Sequence, residues 1–269
     1  MSQSDSKYIK SMSLINQLPQ KVQRKLEHKN LFKVISGLNN FNNKSVKIIS
    51  KAASLGGADL IDIACDPNLV ELVINSSNLT VCVSAIEPKL FLDAVKAGAQ
   101  LVEIGNFDSF YERGIIFSSA QILALTKETK DLLPNVPLSV TVPHNMPLDK
   151  QVDLAMQLVD DGADIIQTEG GKLSKPVSPG IQGLFEKAVP TLASTYAIKQ
   201  EFSRNSIDTP IMSASGLSQI TCPLALASGA SAVGVGSVIN KLHSELAMIS
   251  VIRAIKESME NALINEKII

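Results

Sequence analysis

The 269-residue chain contains the stretch Gly57-Ala58-Asp59-Leu60-Ile61-Asp62-Ile63, and three later stretches repeat its pattern. The pattern is a Gly-Ala pair, then one polar or small residue, and then a short aliphatic run. The other copies are Gly98–Ile104, Gly162–Gln167 and Gly229–Val235. A glycine that ends a helix, a tight turn and a buried strand together produce such a pattern. Four copies in one chain therefore indicate repeated αβ units.

Four further aliphatic runs fill the gaps between these copies. They predict strands at Phe32–Ser36, Thr80–Ser84, Leu138–Val142 and Ile211–Ser215. Helical stretches lie between the strands, near Lys44–Leu55, Asn68–Ser76, Lys89–Lys96, Ser118–Leu132, Asp149–Asp160, Val189–Arg204, Ser218–Ser228 and His243–Ala262. This alternation predicts a single aldolase-type (β/α)8 TIM barrel over residues 31–269, preceded by an N-terminal helical extension over residues 1–30.

A doubly wound open sheet is the alternative α/β fold. Dinucleotide-binding members of that class carry a glycine-rich fingerprint directly after the first strand. Here the first strand is followed by Ser36-Gly37-Leu38-Asn39-Asn40, which lacks the required glycines. The open sheet is therefore the less favoured of the two folds.

The composition limits the class of partner. Hydrophobic residues make up 45% of the chain and aromatic residues only 4%, so aliphatic side chains build the core, as in buried parallel strands. The formal net charge is -1, and the basic residues are scattered along the chain except in Lys21–Lys29. That segment is predicted to be a solvent-exposed helix. We therefore expect a soluble protein with no nucleic-acid or membrane partner. The odd, unpaired cysteines predict reduced thiols and no structural zinc: Cys65, Cys82 and Cys222.

The last two predicted strands end in glycine-rich loops that predict a phosphate site. Ser215 and Gly216 follow the seventh strand, and Gly234, Gly236 and Ser237 end the eighth. In many (β/α)8 enzymes these two loops hold a phosphate, because glycine lets backbone N–H groups approach the oxygens. The serines could add hydroxyl donors. Small residues that simply permit tight strand-to-helix turns are the alternative explanation.

Charged residues inside the aliphatic strands give a candidate catalytic centre. Lys33 lies in the first strand, Asp62 in the second and Glu103 in the fourth. Buried charges are costly unless they pair, so these groups should converge in the barrel lumen. A lysine between apolar walls could have a lowered pKa and serve as a Schiff-base nucleophile or a base. A buried ion-pair network without catalysis is the alternative.

His144 and Glu169 extend this centre at the predicted catalytic end of strands five and six. A histidine there could be a general acid or base, or a hydrogen-bonded structural residue in a proline-bounded loop. No spacing of histidine and carboxylates resembles a dedicated metal site. Mg²⁺ bound together with a substrate phosphate is an alternative, with the following carboxylates as ligands: Asp62, Asp66, Glu103 and Glu169.

Two loops at the same predicted end carry further candidates. Asn106 and Asp108 follow the fourth strand and could bind sugar hydroxyls, although both residue types are ordinary in turns. The longest irregular segment is Gly170–Gly183, which is either a lid or a surface excursion without a role.

Four long phrases resemble the hypothetical chloroplast reading frame 23 family: Lys33–Phe41, Val102–Asp108, Ser139–His144 and Gln167–Gly171. The resemblance runs from about residue 30 to the C-terminus. It implies a chloroplast protein encoded in the plastid. It supplies neither an activity nor catalytic residues for this chain.

Three functions therefore stay open at the level of sequence. The first is an enzyme acting on a small phosphorylated metabolite, of the isomerase, lyase or synthase type. The second is an oxidoreductase whose flavin mononucleotide (FMN) has its phosphate in the same loops and Lys33 near its ring. The third is a sensor or regulatory partner that binds a phosphorylated ligand without turnover. A fold supports many functions, so the site has to decide among them.

Overall fold

The computed structural model describes residues 14–111, 113–171 and 174–266, and in this part of the chain eight parallel strands close into a barrel. The strands follow one another in sequence order, and the last pairs with the first. They are β1 Leu31–Gly37, β2 Leu60–Ala64, β3 Thr80–Ala85, β4 Leu101–Ile104, β5 Leu138–Val142, β6 Ile165–Thr168, β7 Ile211–Ala214 and β8 Ala232–Val235. The predicted (β/α)8 barrel is confirmed, and the open sheet is excluded.

Helices surround the barrel and connect its strands. They are α1 Gln20–Glu27, α2 Asn43–Gly56, α3 Pro67–Ile74, α4 Leu90–Lys96, α5 Asp108–Tyr111, α6 Ser119–Leu132, α7 Leu148–Asp160, α8 Gly180–Arg204, α9 Cys222–Ala227, α10 Ser237–Asn240 and α11 Glu245–Glu266. Within the described ranges, no helix combines the length and the apolar composition needed to cross a bilayer.

The repeated Gly-Ala phrase joins neighbouring strands through its third residue. In the first copy, the backbone N–H of Asp59 donates to the carbonyl of Phe32, and the Asp59 carboxylate accepts the Phe32 N–H at 3.1 Å. Asp164 makes the same two bonds to Leu138, at 2.8 and 2.9 Å. The preceding glycine, Gly57 or Gly162, has a φ of +92° or +95°, where a side chain would strain the backbone. The phrase therefore fixes the start of one strand against the start of the previous one.

Helix α8 starts earlier than the sequence predicted. The expected start was Val189, but the helix begins at Gly180 and continues through Pro190. Proline removes the hydrogen bond to the carbonyl four residues earlier. That carbonyl, of Glu186, accepts the Ser174 hydroxyl at 2.9 Å instead. The irregular segment predicted to run to residue 183 is correspondingly shorter, and its residues 172 and 173 lie outside the described part.

The N-terminal segment closes the lower end of the barrel, where the strands begin. Four of its side chains are buried: Ile15, Leu18, Val22 and Leu26. They form one apolar cluster with the first residues of strands, among them Leu31, Leu60, Leu101 and Ile165. Helix α1 keeps its charged side toward solvent, as predicted for Lys21–Lys29, but its other side shares a core with the barrel.

Candidate functional site

A cavity of about 400 Å³ lies at the upper end of the barrel, where the strands end. One side consists of the two segments predicted from the sequence to hold phosphate, Ser215–Leu217 after β7 and Gly234–Ser237 at the end of β8, which we call the phosphate loops. The other side carries Asp108 and Glu169. Two cations that sequence reasoning missed, Lys187 of α8 and Lys241 after α10, also line the cavity. The cavity is therefore basic on one side and acidic on the other.

Close packing explains the glycines of the phosphate loops. A Cβ on Gly234 would lie 3.0 Å from the Ala214 and Ile35 side chains, and one on Gly236 would lie 3.0 Å from the Ile35 carbonyl oxygen. Gly216 has a φ of +75°, and a Cβ there would lie 2.6 Å from the carbonyl oxygen of Lys187. All three glycines line the cavity, so they also leave bare backbone facing it.

Ser215 connects the phosphate loops to the acidic side. Its φ of +71° is unusual for a residue with a side chain, and the Thr191 hydroxyl holds its carbonyl at 2.8 Å. The Ser215 hydroxyl donates to Oδ2 of Asp108 at 2.8 Å and accepts the Gly171 N–H at 2.9 Å. A hydroxyl has one hydrogen, so this arrangement directs it to Asp108 and not to a ligand. Ser237, by contrast, is exposed at the cavity.

The acidic side is a cluster of Asp108, His144 and Glu169, which we call the acid cluster. Nδ1 of His144 lies 3.1 Å from Oε1 of Glu169 and 3.2 Å from Oδ1 of Asp108. The Tyr111 hydroxyl donates to the same Oε1 at 2.5 Å, and the Asp108 N–H donates to Oε2 at 3.3 Å. Sequence reasoning named His144 and Glu169 as catalytic but did not join Asp108 or Tyr111 to them.

Burial and neighbouring charges shift the pKa values of this cluster. Burial raises the pKa of Glu169, although its bonds from His144 and Tyr111 act against the shift. Burial alone would lower the pKa of His144, but the bonds to Asp108 and Glu169 outweigh it and raise that pKa to about 9. At neutral pH the imidazole therefore carries a proton between two carboxylates.

Below the cavity lie three fully buried charged residues and one glutamine that reaches the cavity, and we call this set the lumen layer: Lys33, Asp62, Glu103 and Gln167. Nζ of Lys33 donates to Oε2 of Glu103 at 2.5 Å and to Oε1 of Gln167 at 2.7 Å. Gln167 donates in turn to Oε1 of Glu103 at 2.7 Å. The predicted convergence of Lys33 and Glu103 in the lumen is thus present, with both side chains 0% exposed.

The lowered pKa predicted for Lys33 is wrong. Burial by itself lowers this pKa, but the charges of Glu103 and Asp62 outweigh burial and raise it above the ordinary value for lysine. A Schiff base needs a neutral amine that reaches the substrate, and a flavin ring beside the amine needs space. An ammonium with no exposed surface meets neither requirement.

The carboxylate of Asp62 hydrogen-bonds to partners other than the amine of Lys33. It accepts the Ser84 hydroxyl at 2.5 Å and the Asn106 amide at 3.2 Å, and burial raises its pKa to about 7. Asn106 also donates to Glu103 and has a φ of +58°. The Mg²⁺ set suggested by the sequence does not assemble among the described residues, where the group of potential ligands that do lie close together is Asp108, His144 and Glu169. Asp66 caps the N-terminus of α3 through the Leu69 N–H.

Several known proteins are similar to this chain, and one relative and two solved structures illustrate the likeness. The chain is 47% identical over 236 residues to "Uncharacterized protein ycf23" of Cyanophora paradoxa, covering 87% of this chain and 95% of the relative. (S)-3-O-geranylgeranylglyceryl phosphate synthase from Thermoplasma acidophilum matches with a TM-score of 0.59 and 12% identity, over 91% of this chain and 100% of that one. Thiamine phosphate pyrophosphorylase from Pyrococcus furiosus matches with a TM-score of 0.53 and 15% identity, over 88% and 99%. At these identities the two structures show a shared fold alone.

The family resemblance seen in the sequence is confirmed. The named relative is a reading frame 23 protein, and it matches nearly nine-tenths of the chain. The family model described as "Protein of unknown function (DUF561)" matches residues 15–265, which include the barrel, the phosphate loops and the acid cluster. The chain therefore belongs to the DUF561 family.

Proposed function

We propose that this protein is an enzyme that acts on a small phosphorylated metabolite, as an isomerase, lyase or synthase. The proposal rests on the composition of the cavity wall. The phosphate loops, Lys187 and Lys241 form one part of this wall, and carboxylates of the acid cluster form another part. A phosphate bound by bare backbone and two ammonium groups would place the rest of a small molecule against the two carboxylates. A volume of about 400 Å³ suits a metabolite of that size.

The acid cluster would serve the reacting end of the substrate. Glu169 is 4% exposed at its side chain and has a raised pKa, a combination common among groups that transfer protons in enzymes. Tyr111 and the Asp108 N–H fix the orientation of its carboxylate. Ser215 fixes Asp108 in the same way from the phosphate side. Both carboxylates are therefore oriented before a substrate arrives, which is what catalysis of a proton transfer requires.

The lumen layer would support the site from below. Gln167 lines the cavity and is held by Lys33, Glu103 and Thr141, so its position depends on the buried charges. In this proposal Lys33, Asp62 and Glu103 position the floor of the cavity and do not touch the substrate. The two structural neighbours have phosphate esters in their names, which supports a phosphorylated substrate only by analogy of fold. The algal relative supports a plastid location.

The test is a thermal-shift titration with inorganic phosphate and a panel of small sugar and glycerol phosphates, followed by turnover assays on those that bind. A ligand that binds only the folded state raises the melting temperature by mass action. We expect the wild type to respond. We expect the double variant Lys187→Met/Lys241→Met to lose most of the response, because both cations beside the phosphate loops are gone.

Two further variants make the result decisive. Gly236→Asp places a carboxylate where the phosphate would lie, and it should abolish the response; its melt without ligand shows whether it folds. Lys150→Met removes an exposed lysine on α7 and should respond like the wild type. A full response in both the double variant and Gly236→Asp would place the phosphate elsewhere. Binding without turnover of any phosphate ester would favour the alternative, a ligand sensor.

A further inference from the structure

We propose that Asp108, His144 and Glu169 together bind one divalent first-row metal ion, Mn²⁺ or Zn²⁺. The three residues come from the loops after β4, β5 and β6, and one ligand atom from each lies within 4.8 Å of the others. Asp108 and Glu169 line the same cavity as the phosphate loops, and Asp108 accepts the Ser215 hydroxyl of those loops. The ion would therefore sit at the wall of this cavity, beside the phosphate loops.

The spacing of the ligand atoms suits such an ion. Metal bonds to imidazole nitrogen and carboxylate oxygen are about 2.0–2.2 Å long. Two ligands at octahedral or tetrahedral angles then lie roughly 3.0–3.5 Å apart. Nδ1 of His144 is 3.1 Å from Oε1 of Glu169 and 3.2 Å from Oδ1 of Asp108, inside that interval. The two carboxylate oxygens lie within 4.8 Å of each other, so the ion would draw the carboxylates together. It would also take the place of the proton on Nδ1 of His144, which leaves to solvent.

Outer hydrogen bonds already orient the two carboxylates. The Ser215 hydroxyl holds Oδ2 of Asp108, which turns Oδ1 toward the imidazole. Oε1 of Glu169 accepts the Tyr111 hydroxyl and the backbone N–H of His144, and these two bonds hold it beside Nδ1. Partners of this kind are typical of metal sites, where they fix the ligands and raise affinity.

The donor set selects the class of ion. One imidazole and two carboxylates suit Mn²⁺ or Zn²⁺, whereas Ca²⁺ takes six to eight oxygen ligands at longer distances. A 2+ ion also balances the two carboxylate charges. Three protein ligands leave coordination positions for water or for a substrate oxygen. If the proposed function holds, the substrate carries a carbonyl or hydroxyl oxygen at the end opposite its phosphate, and the ion polarises that oxygen.

The direct test is titration of the metal-free protein with Mn²⁺, followed by electron paramagnetic resonance of the free ion, with Zn²⁺ as competitor. We expect one Mn²⁺ per chain, displaced by one Zn²⁺. Asp108→Asn and Glu169→Gln should each lose the site. Tyr111→Phe keeps all three ligands, and it should weaken binding by about 10- to 100-fold, the usual effect of losing an orienting partner.

Controls separate this proposal from the proposed function. Lys187→Met/Lys241→Met should bind Mn²⁺ normally while losing phosphate, and the exposed Asp149→Asn should match the wild type. Circular-dichroism melts of the metal-free variants show whether each is folded. Wild-type protein that leaves all Mn²⁺ free and whose melting temperature neither ion raises would overturn the metal site. So would folded Asp108→Asn and Glu169→Gln variants that bind as tightly as the wild type.

Discussion

At the scale of single residues, the buried Lys33–Glu103 ion pair predicts a large loss of stability when one of its two charges is removed. Both side chains are fully buried, and Glu103 also accepts bonds from Gln167 and Asn106. Lys33→Met removes the cation and leaves the carboxylate without its charge partner, which costs about 3–5 kcal/mol in comparable pairs. We expect a loss of that size in the free energy of unfolding, measured by urea denaturation.

The double variant Lys33→Met/Glu103→Gln separates the pair from simple packing. Glutamine keeps a side-chain oxygen for Gln167 and Asn106 but carries no charge, so the double variant should be more stable than Lys33→Met alone. If the two substitutions instead add as independent losses, the cost does not come from an uncompensated charge. The lysine would then matter through its volume.

At the scale of elements, the Gly-Ala-Asp turn before β6 predicts a pH dependence. Burial raises the pKa of Asp164 from 3.8 to about 6, although Lys130 and the Leu138 N–H oppose the shift. Because the folded-state pKa lies above the unfolded one, the folded state binds the extra proton between these two values. Stability from this group is therefore present below pH 3.8 and is lost as the pH rises through about 6.

Asp164→Asn makes this effect measurable. The wild type should lose about 2–3 kcal/mol relative to Asp164→Asn between pH 4 and pH 7, as a shift of two pKa units implies. Urea midpoints across that range provide the comparison, with exposed Asp149→Asn as the matched control. Parallel curves for the wild type and Asp164→Asn would contradict the prediction.

The same turns explain how much of the fold the sequence predicts. A glycine at positive φ followed by a buried strand is a local pattern, and each of the four Gly-Ala stretches does contain a strand or most of one. The four strands predicted with explicit bounds were located within one residue of their observed ends. The start of helix α8 was misplaced because Pro190 is typical of a first helical turn, whereas the helix begins ten residues earlier, at Gly180. The Ser174 hydroxyl bonds the Glu186 carbonyl that the proline leaves without its usual partner. The short helix α5 was not predicted, because a helix of four residues is too short to show a repeating hydrophobic pattern.

The candidate site was predictable only in part, for the same reason. Alternation along a strand identifies side chains such as Lys33 and Glu103 that point into a barrel. Asp108 and Tyr111 lie beyond a strand end, where no period relates them to Glu169. Lys187, which lines the cavity, lies in the part of α8 that precedes its predicted start.

At the scale of the whole molecule, the two ends of the barrel differ in composition. The upper end has the cavity, with the phosphate loops and the acid cluster in or beside its wall. The lower end has an apolar cluster sealed by residues of the N-terminal segment. Apolar burial at the lower end stabilises the fold and offsets the free-energy cost of burying charged groups at the upper end.

The last prediction concerns this seal. Leu26 of α1 is 4% exposed and belongs to the lower cluster, so Leu26→Ala should cost about 2–4 kcal/mol in unfolding free energy. Glu27→Ala, an exposed change on the same helix, should stay within roughly 0.5 kcal/mol of the wild type. Urea denaturation measures both. Below the unfolding transition, Leu26→Ala should bind phosphate and Mn²⁺ like the wild type, because both proposed sites lie at the other end. Equal midpoints for the two variants would show that the segment is a dispensable extension; altered ligand binding in folded Leu26→Ala would show that the two ends are coupled.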